Sequence, residues 1–197
     1  MSLEHATPVD SLAEALRLLQ RRISTASPSL SVAPKELYEQ LRILLTRAIR
    51  EQVLLNGMYS VKKLLKLTPD PEGRPSCWVL TGGPLDFGRT TEPNIDTHFV
   101  RADGGVVHFA MTLSEDHARN SVVFAYGFEV YFPSQKPIAF VRFDLNYVGH
   151  GNDEAGLRSH LHPGNDDLQL PSPVLAPIEA LLLVLYGCRQ QRDVSRT

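Results

Sequence analysis

From Cys77 onward the apolar residues stop recurring at helical spacing and begin to alternate. CWVLTG (77–82), IDTHFVRA (95–102), VVHFAMTLS (106–114), SVVFAYGFEVYF (121–132) and IAFVRFDLN (138–146) follow one another, each rich in β-branched and aromatic residues. Short turn signals separate them, notably Asp103-Gly104-Gly105 and Pro133-Ser134-Gln135-Lys136. Strands joined this closely leave no room for crossover helices, so the pattern predicts an antiparallel meander of about five or six strands over 77–162. One face of such a sheet needs a cover. The class expected is α+β, with helices before the sheet and one closing it.

The helical signals lie in the first third and at the end. Ser11-Leu12-Ala13-Glu14 fits a capping box, followed by Leu12, Leu16, Leu19 and Ile23 at helical spacing. A Ser/Pro-rich linker over 24–33 separates it from a longer helix opened by Pro34. That helix has a stripe of Leu37, Leu41, Leu44 and Ala48, with Val53 as a further member, and Asn56-Gly57 is its expected stop. Val61, Leu64 and Leu65 suggest a further short helix. Pro171, Pro173 and Pro177 keep the backbone extended, so the last helix can begin only at or after Pro177 and fall within roughly 174–187. Its expected apolar face is Leu181, Leu182, Leu185 and Tyr186. The domain division expected is a basic helical region over 1–67 and a sheet domain over 68–197, forming one compact unit.

Charge is unevenly spread. Of 20 Lys/Arg and 22 Asp/Glu, residues 15–66 hold ten bases and three acids, which is +7, leaving −9 for the rest. Either the basic helices lie against an acidic sheet, or they expose a face for nucleic acid or an acidic protein partner. Arg42, Arg47, Arg50, Lys62 and Lys63 are the candidate nucleic-acid contacts. Two cysteines make no disulfide framework, and no run is long and apolar enough for a membrane helix or a secretory leader, so a cytoplasmic protein without a membrane partner is expected. Walker, dinucleotide, HExxH and CxxC signatures are absent.

The chemistry-bearing residues gather late. Alternation places Arg142, Asp144 and Asn146 on one face of the last strand, and His160 and His162 on one face if that segment is extended. A histidine pair two residues apart, with a carboxylate such as Asp144, Asp166 or Asp167, is a way to present ligands to a metal. The same groups could perform general acid–base cleavage of a phosphodiester without one. They could also be structural, the histidines bonding neighbouring loops and the arginine pairing with the aspartate. Arg142, Asp144, His160 and His162 are the candidate catalytic set, expected to converge at a partly exposed site. No organic cofactor is expected, a divalent metal being the one candidate.

The succession RFDLN, SHLHPG, LPSP and a proline-led apolar helix, over about 138–186, resembles TumE-like toxins of bacterial toxin–antitoxin modules and related defence-associated families. The positions that correspond are Arg142, Asp144, His160, His162 and the helix after Pro177. This chain adds a basic helical N-terminal region and a glycine-rich loop over 147–158. The resemblance implies an α+β fold with a terminal helix, and a toxin or defence protein that binds or cleaves nucleic acid, partnered by an antitoxin or complex subunit. A non-catalytic interaction module of a nucleoprotein or multiprotein complex is the alternative.

Overall fold

The computed structural model describes residues 29–84, 87–151 and 156–188. The expected helix over 11–23 lies outside them. Alternating strands dominate, as the sequence predicts: β3 (Cys77–Gly82), β5 (Val106–Glu115), β6 (Ser121–Phe132) and β7 (Ala139–Leu145) form the centre of an antiparallel sheet. To these are added β2 (Leu65–Pro69), β8 (Ser159–Pro163) and three two-residue strands: β1 (Ser29–Leu30), β4 (Phe99–Val100) and β9 (Leu170–Pro171). The main order is β2-β3-β5-β6-β7-β8-β9, with β1 on β6 and β4 on β5, nine strands among the described residues; β3 to β8 are the five or six expected from about residue 77 to 162, and β1, β2 and β9 lie outside that stretch. Most of the stretch 95–102 is not strand, only Phe99–Val100. Fold class is α+β.

The helices are α1 (Pro34–Arg50), α2 (Met58–Leu64) and α3 (Pro177–Leu182), the last running on as a π-helical turn over Leu183–Gly187. Pro34 opens α1, and Leu37, Leu41, Leu45 and Ala48 are its buried stripe. Leu45 replaces the expected Leu44 because helical side chains four apart stack on one face, so Leu41 is followed by Leu45. The chain leaves α1 earlier than expected, at Gln52, whose φ of 57° provides the left-handed step. Asn56 instead serves as a brace: buried, it donates to the carbonyls of Ile95 and His98 and accepts from the N–H of Val100.

Pro177 does start the closing helix, and Glu179 Oε2 accepts the N–H of Ala176 at 2.9 Å, one residue before it. Its buried face is Ala180, Leu181, Val184 and Leu185, whereas Leu182 is 40% exposed, against expectation. Arg101, 3% exposed, ties this helix to the sheet through a 2.6 Å hydrogen bond to the Val184 carbonyl.

Register assigns each sheet face. Phe109 opposes Phe128, which opposes Phe143, and Met111 opposes Tyr126. These residues share one core with the inward stripes of α1 and α3. The expected division at residue 67 falls inside β2, and that core runs across it. On the other face, the cross-strand rows read His108–Glu129–Arg142–His162 and Ala110–Gly127–Asp144–His160. The polar residues of interest therefore lie on the face away from the helices.

Candidate functional site

Strand pairing brings together residues far apart in the chain. Arg142 stands opposite His162 and Asp144 opposite His160, all four side chains on one pleat face. Arg142 Nε donates to Asp144 Oδ2 at 2.7 Å. The same oxygen lies 3.2 Å from His162 Nε2 and 3.6 Å from His160 Nε2, and the two Nε2 atoms are 3.0 Å apart. His160 and His162 are each 2% exposed, so the expected partly exposed site is a buried one, reached by solvent through Arg142 and Asp144. Asn146 shares the strand face but contacts His150, and neither belongs to the cluster.

The outer ring nitrogens determine what the inner ones can do. His160 Nδ1 is 2.7 Å from the Leu157 carbonyl and His162 Nδ1 is 3.3 Å from that of Asn165. A carbonyl only accepts, so a ring bonded to one donates from Nδ1 and turns Nε2 inward. Burial pushes His160 below its ordinary value, with the Asp144 carboxylate and the Leu157 carbonyl opposing it incompletely. The two Nε2 atoms and the carboxylate oxygen converge on one point, where a shared proton or a cation can bridge them.

A metal ion fits the dimensions of this cluster. Ligands about 2.0–2.2 Å from a tetrahedral zinc lie about 3.3–3.6 Å from each other, by simple trigonometry on ordinary bond lengths. The triangle measured here has sides of 3.0, 3.2 and 3.6 Å. Asp144, His160 and His162 are a group able to hold a metal among the described residues. The carbonyls on both Nδ1 atoms and Arg142 on the carboxylate are the outer partners such ligands ordinarily have.

Around the triad lies a polar layer that periodicity alone does not disclose. Glu129, completely buried, accepts from Arg89 through both oxygens at 2.9 and 2.7 Å and contacts His108 Nε2 at 2.9 Å. Burial would raise its carboxyl, but the hydrogen bonds from His108 and Arg89 outweigh it and hold the group below the usual range. Arg89 also makes two bonds to Asp166, at 2.8 and 3.0 Å, and its guanidinium lies 3.3 Å over the Phe140 ring. The Arg89 hydrogen bonds, with help from Arg142, push Asp166 down to about 2. Two guanidiniums, Arg89 and Arg142, thus meet three carboxylates, those of Glu129, Asp144 and Asp166, beside the histidines. Asp167, the other acid considered from sequence, is exposed and outside the cluster.

The basic residues do not join this site. Arg42 pairs with Glu39 at 2.7 Å and Arg47 with Glu51 at 2.6 Å, along α1 itself rather than with acids of the sheet. Arg50, Lys62 and Lys63 are exposed. Arg42, Arg50 and Lys62 line a hollow of about 380 Å³ between α1 and α2. Those helices cover the opposite sheet face, so the candidate nucleic-acid contacts and the histidines lie on different sides of the sheet.

No family model, curated protein or solved structure matches the chain. No helix among the described residues is long and apolar enough to cross a membrane.

Proposed function

We propose that this protein is a metal-dependent enzyme whose centre is one divalent ion held by Asp144, His160 and His162. The supporting observation is the inward convergence of two Nε2 atoms and a carboxylate oxygen, all within 3.6 Å of one another, with a backbone carbonyl behind each ring at Nδ1. An ion with three protein ligands keeps a position for water, lowers that water's pKa toward neutrality and polarises a substrate oxygen. Hydrolysis is the reaction class this suits. Arg142 orients Asp144 and offsets its charge. The toxin reading uses the same four residues on nucleic acid; a small substrate suits the centre better, because the exposed cations are on the far side of the sheet.

The test is direct metal binding. Protein stripped with chelator is titrated with Zn(II), Co(II), Mn(II) and Fe(II), followed by calorimetry and thermal melting. One ion per chain, with melting raised as binding to the native state requires, is expected. His162→Gln and Asp144→Asn should lose that ion and that stabilisation. If the wild type takes up none of the four ions, the cluster works by proton transfer or is structural, and the metal reading is wrong.

A further inference from the structure

Beside the triad the sheet face is hollow. The cavity measures about 490 Å³ and is bordered by Val79, Phe87, Ala110, Ala125, Gly127 and Asp144, among others. Its depth comes from small residues at neighbouring register positions: Ala110 faces Gly127, and Thr112 faces Ala125. One row along, the same face carries His108 and Glu129, which fill the space above the strands. Gly127 is committed to this role, since a Cβ there would lie 3.1 Å from Asp144 Oδ1 and 3.1 Å from Phe87 Cζ. Asp144 is thus common to both places, one oxygen toward the histidines and the other toward the cavity floor.

We propose that this cavity is the substrate pocket of the metal centre, and that it takes a compact, largely apolar molecule carrying one metal-binding oxygen group, such as an aryl or branched acyl compound. This inference rests on the metal reading above. The volume lies within the range of small-molecule sites, in which apolar walls supply binding and a few polar groups fix orientation. Val79, Phe87, Ala110 and Ala125 form such walls. The guanidinium bordering the cavity, Arg142, is already bound to Asp144 and Asp166, so it does not offer a free charge to a polyanion. The polar lining is Thr112, Arg142, Asp144, Asn146, Tyr147 and His150, against apolar walls. A ring-sized apolar group finds those walls beside Asp144, whereas a polyanion finds its one lining guanidinium already paired.

The experiment uses the full chain loaded with Co(II), whose visible spectrum reports the coordination of the ion. Acetohydroxamate and benzohydroxamate share a chelating group and differ in a methyl against a phenyl. The wild type should bind benzohydroxamate at least about tenfold more tightly, from burial of the ring. Ala110→Leu and, independently, Ala125→Leu fill the hollow. Each should keep the cobalt spectrum and the acetohydroxamate affinity while the preference for the phenyl compound falls toward one. A wild-type protein that binds cobalt but shows no preference overturns the pocket and leaves the metal centre standing. A preference unchanged in both leucine variants overturns it equally. Failure to take up cobalt at all removes the metal reading and this inference with it.

Discussion

Glu129→Ala is the substitution that should most disturb the polar face of the sheet. Glu129 is 0% exposed and meets Arg89 at 2.9 and 2.7 Å, His108 at 2.9 Å and Arg142 at 3.5 Å. Removing it does not strand Arg89, which keeps both bonds to the half-exposed Asp166. It does strand His108: the ring is buried, and among the described residues Nδ1 lacks a hydrogen-bond partner and Nε2 bonds to Glu129 alone. Leaving that group unsatisfied costs about 1–3 kcal/mol. Breaking a buried pair from one side commonly costs about 3–5 kcal/mol in total, and the partial rescue of Arg89 by Asp166 argues for the lower half of that range. For a chain of this length the corresponding fall in Tm is about 6–15 °C. Asp166→Ala, which removes the more exposed partner, should cost less than about 1 kcal/mol. Urea unfolding of both variants, with unchanged m values, measures the two numbers. If the order is reversed, or Glu129→Ala costs no more than Asp166→Ala, the network is not what holds this face together.

Leu181→Ala should destabilise by about 2–5 kcal/mol and Leu182→Ala by well under 1, since the first is fully buried and the second 40% exposed; chemical denaturation separates them. Gly82→Ala places a Cβ 2.2 Å from Phe109 Cε1 within the core, and should cost about 1–3 kcal/mol or more in the same assay. Asp70, paired with Arg74 at 2.6 Å, has its carboxyl held below the usual range chiefly by the hydrogen bond from that arginine. Its contribution is therefore present above the unfolded-state pKa of about 3.9 and is lost as pH falls below that toward the folded value, so the stability gap between wild type and Asp70→Asn should close on acidification. Stability curves at pH 7 and pH 3 check it, and a gap that widens in acid contradicts the sign.

The central strands were legible because β5, β6 and β7 alternate over 7 to 12 residues with turn chemistry between them. β2 was not, because Leu65-Lys66-Leu67 continues the apolar pattern of α2 without a break, and only pairing with β3 makes it a strand. Leu182 was misassigned for a related reason. Pro177, Ala180, Leu181, Val184 and Leu185 face inward at three- and four-residue spacings, and the equally regular alternative stripe through Leu182 points outward; the pattern alone does not choose between the two phases. At the site, alternation put Arg142 with Asp144 and His160 with His162, but their meeting depends on the β7–β8 register, which single-strand patterns do not contain. Arg89 comes from an aperiodic loop and gave no signal. Glu129 gave one that went unread: a lone acid in the strand SVVFAYGFEVYF must be paired if that strand is buried on both faces.

The two faces of the sheet solve different problems. The helix side is closed by aliphatic and aromatic packing, which tolerates conservative exchange and specifies no chemistry. The other side buries Glu129 and three histidines and half-buries Arg89, Arg142 and Asp144, and packing of that kind is not explained by stability, because a hydrophobic replacement of similar volume would serve as well or better. Much of the layer has an internal reason: Arg89 joins Glu129 to Asp166, and Arg142 joins Asp166 to Asp144. The triangle of Asp144, His160 and His162 stands apart: the carbonyls behind both rings and Arg142 on the carboxylate aim two Nε2 atoms and one oxygen at a single point. The surrounding ion pairs hold that convergence at the edge of the hollow bordered by Asp144, and the metal centre proposed above rests on it.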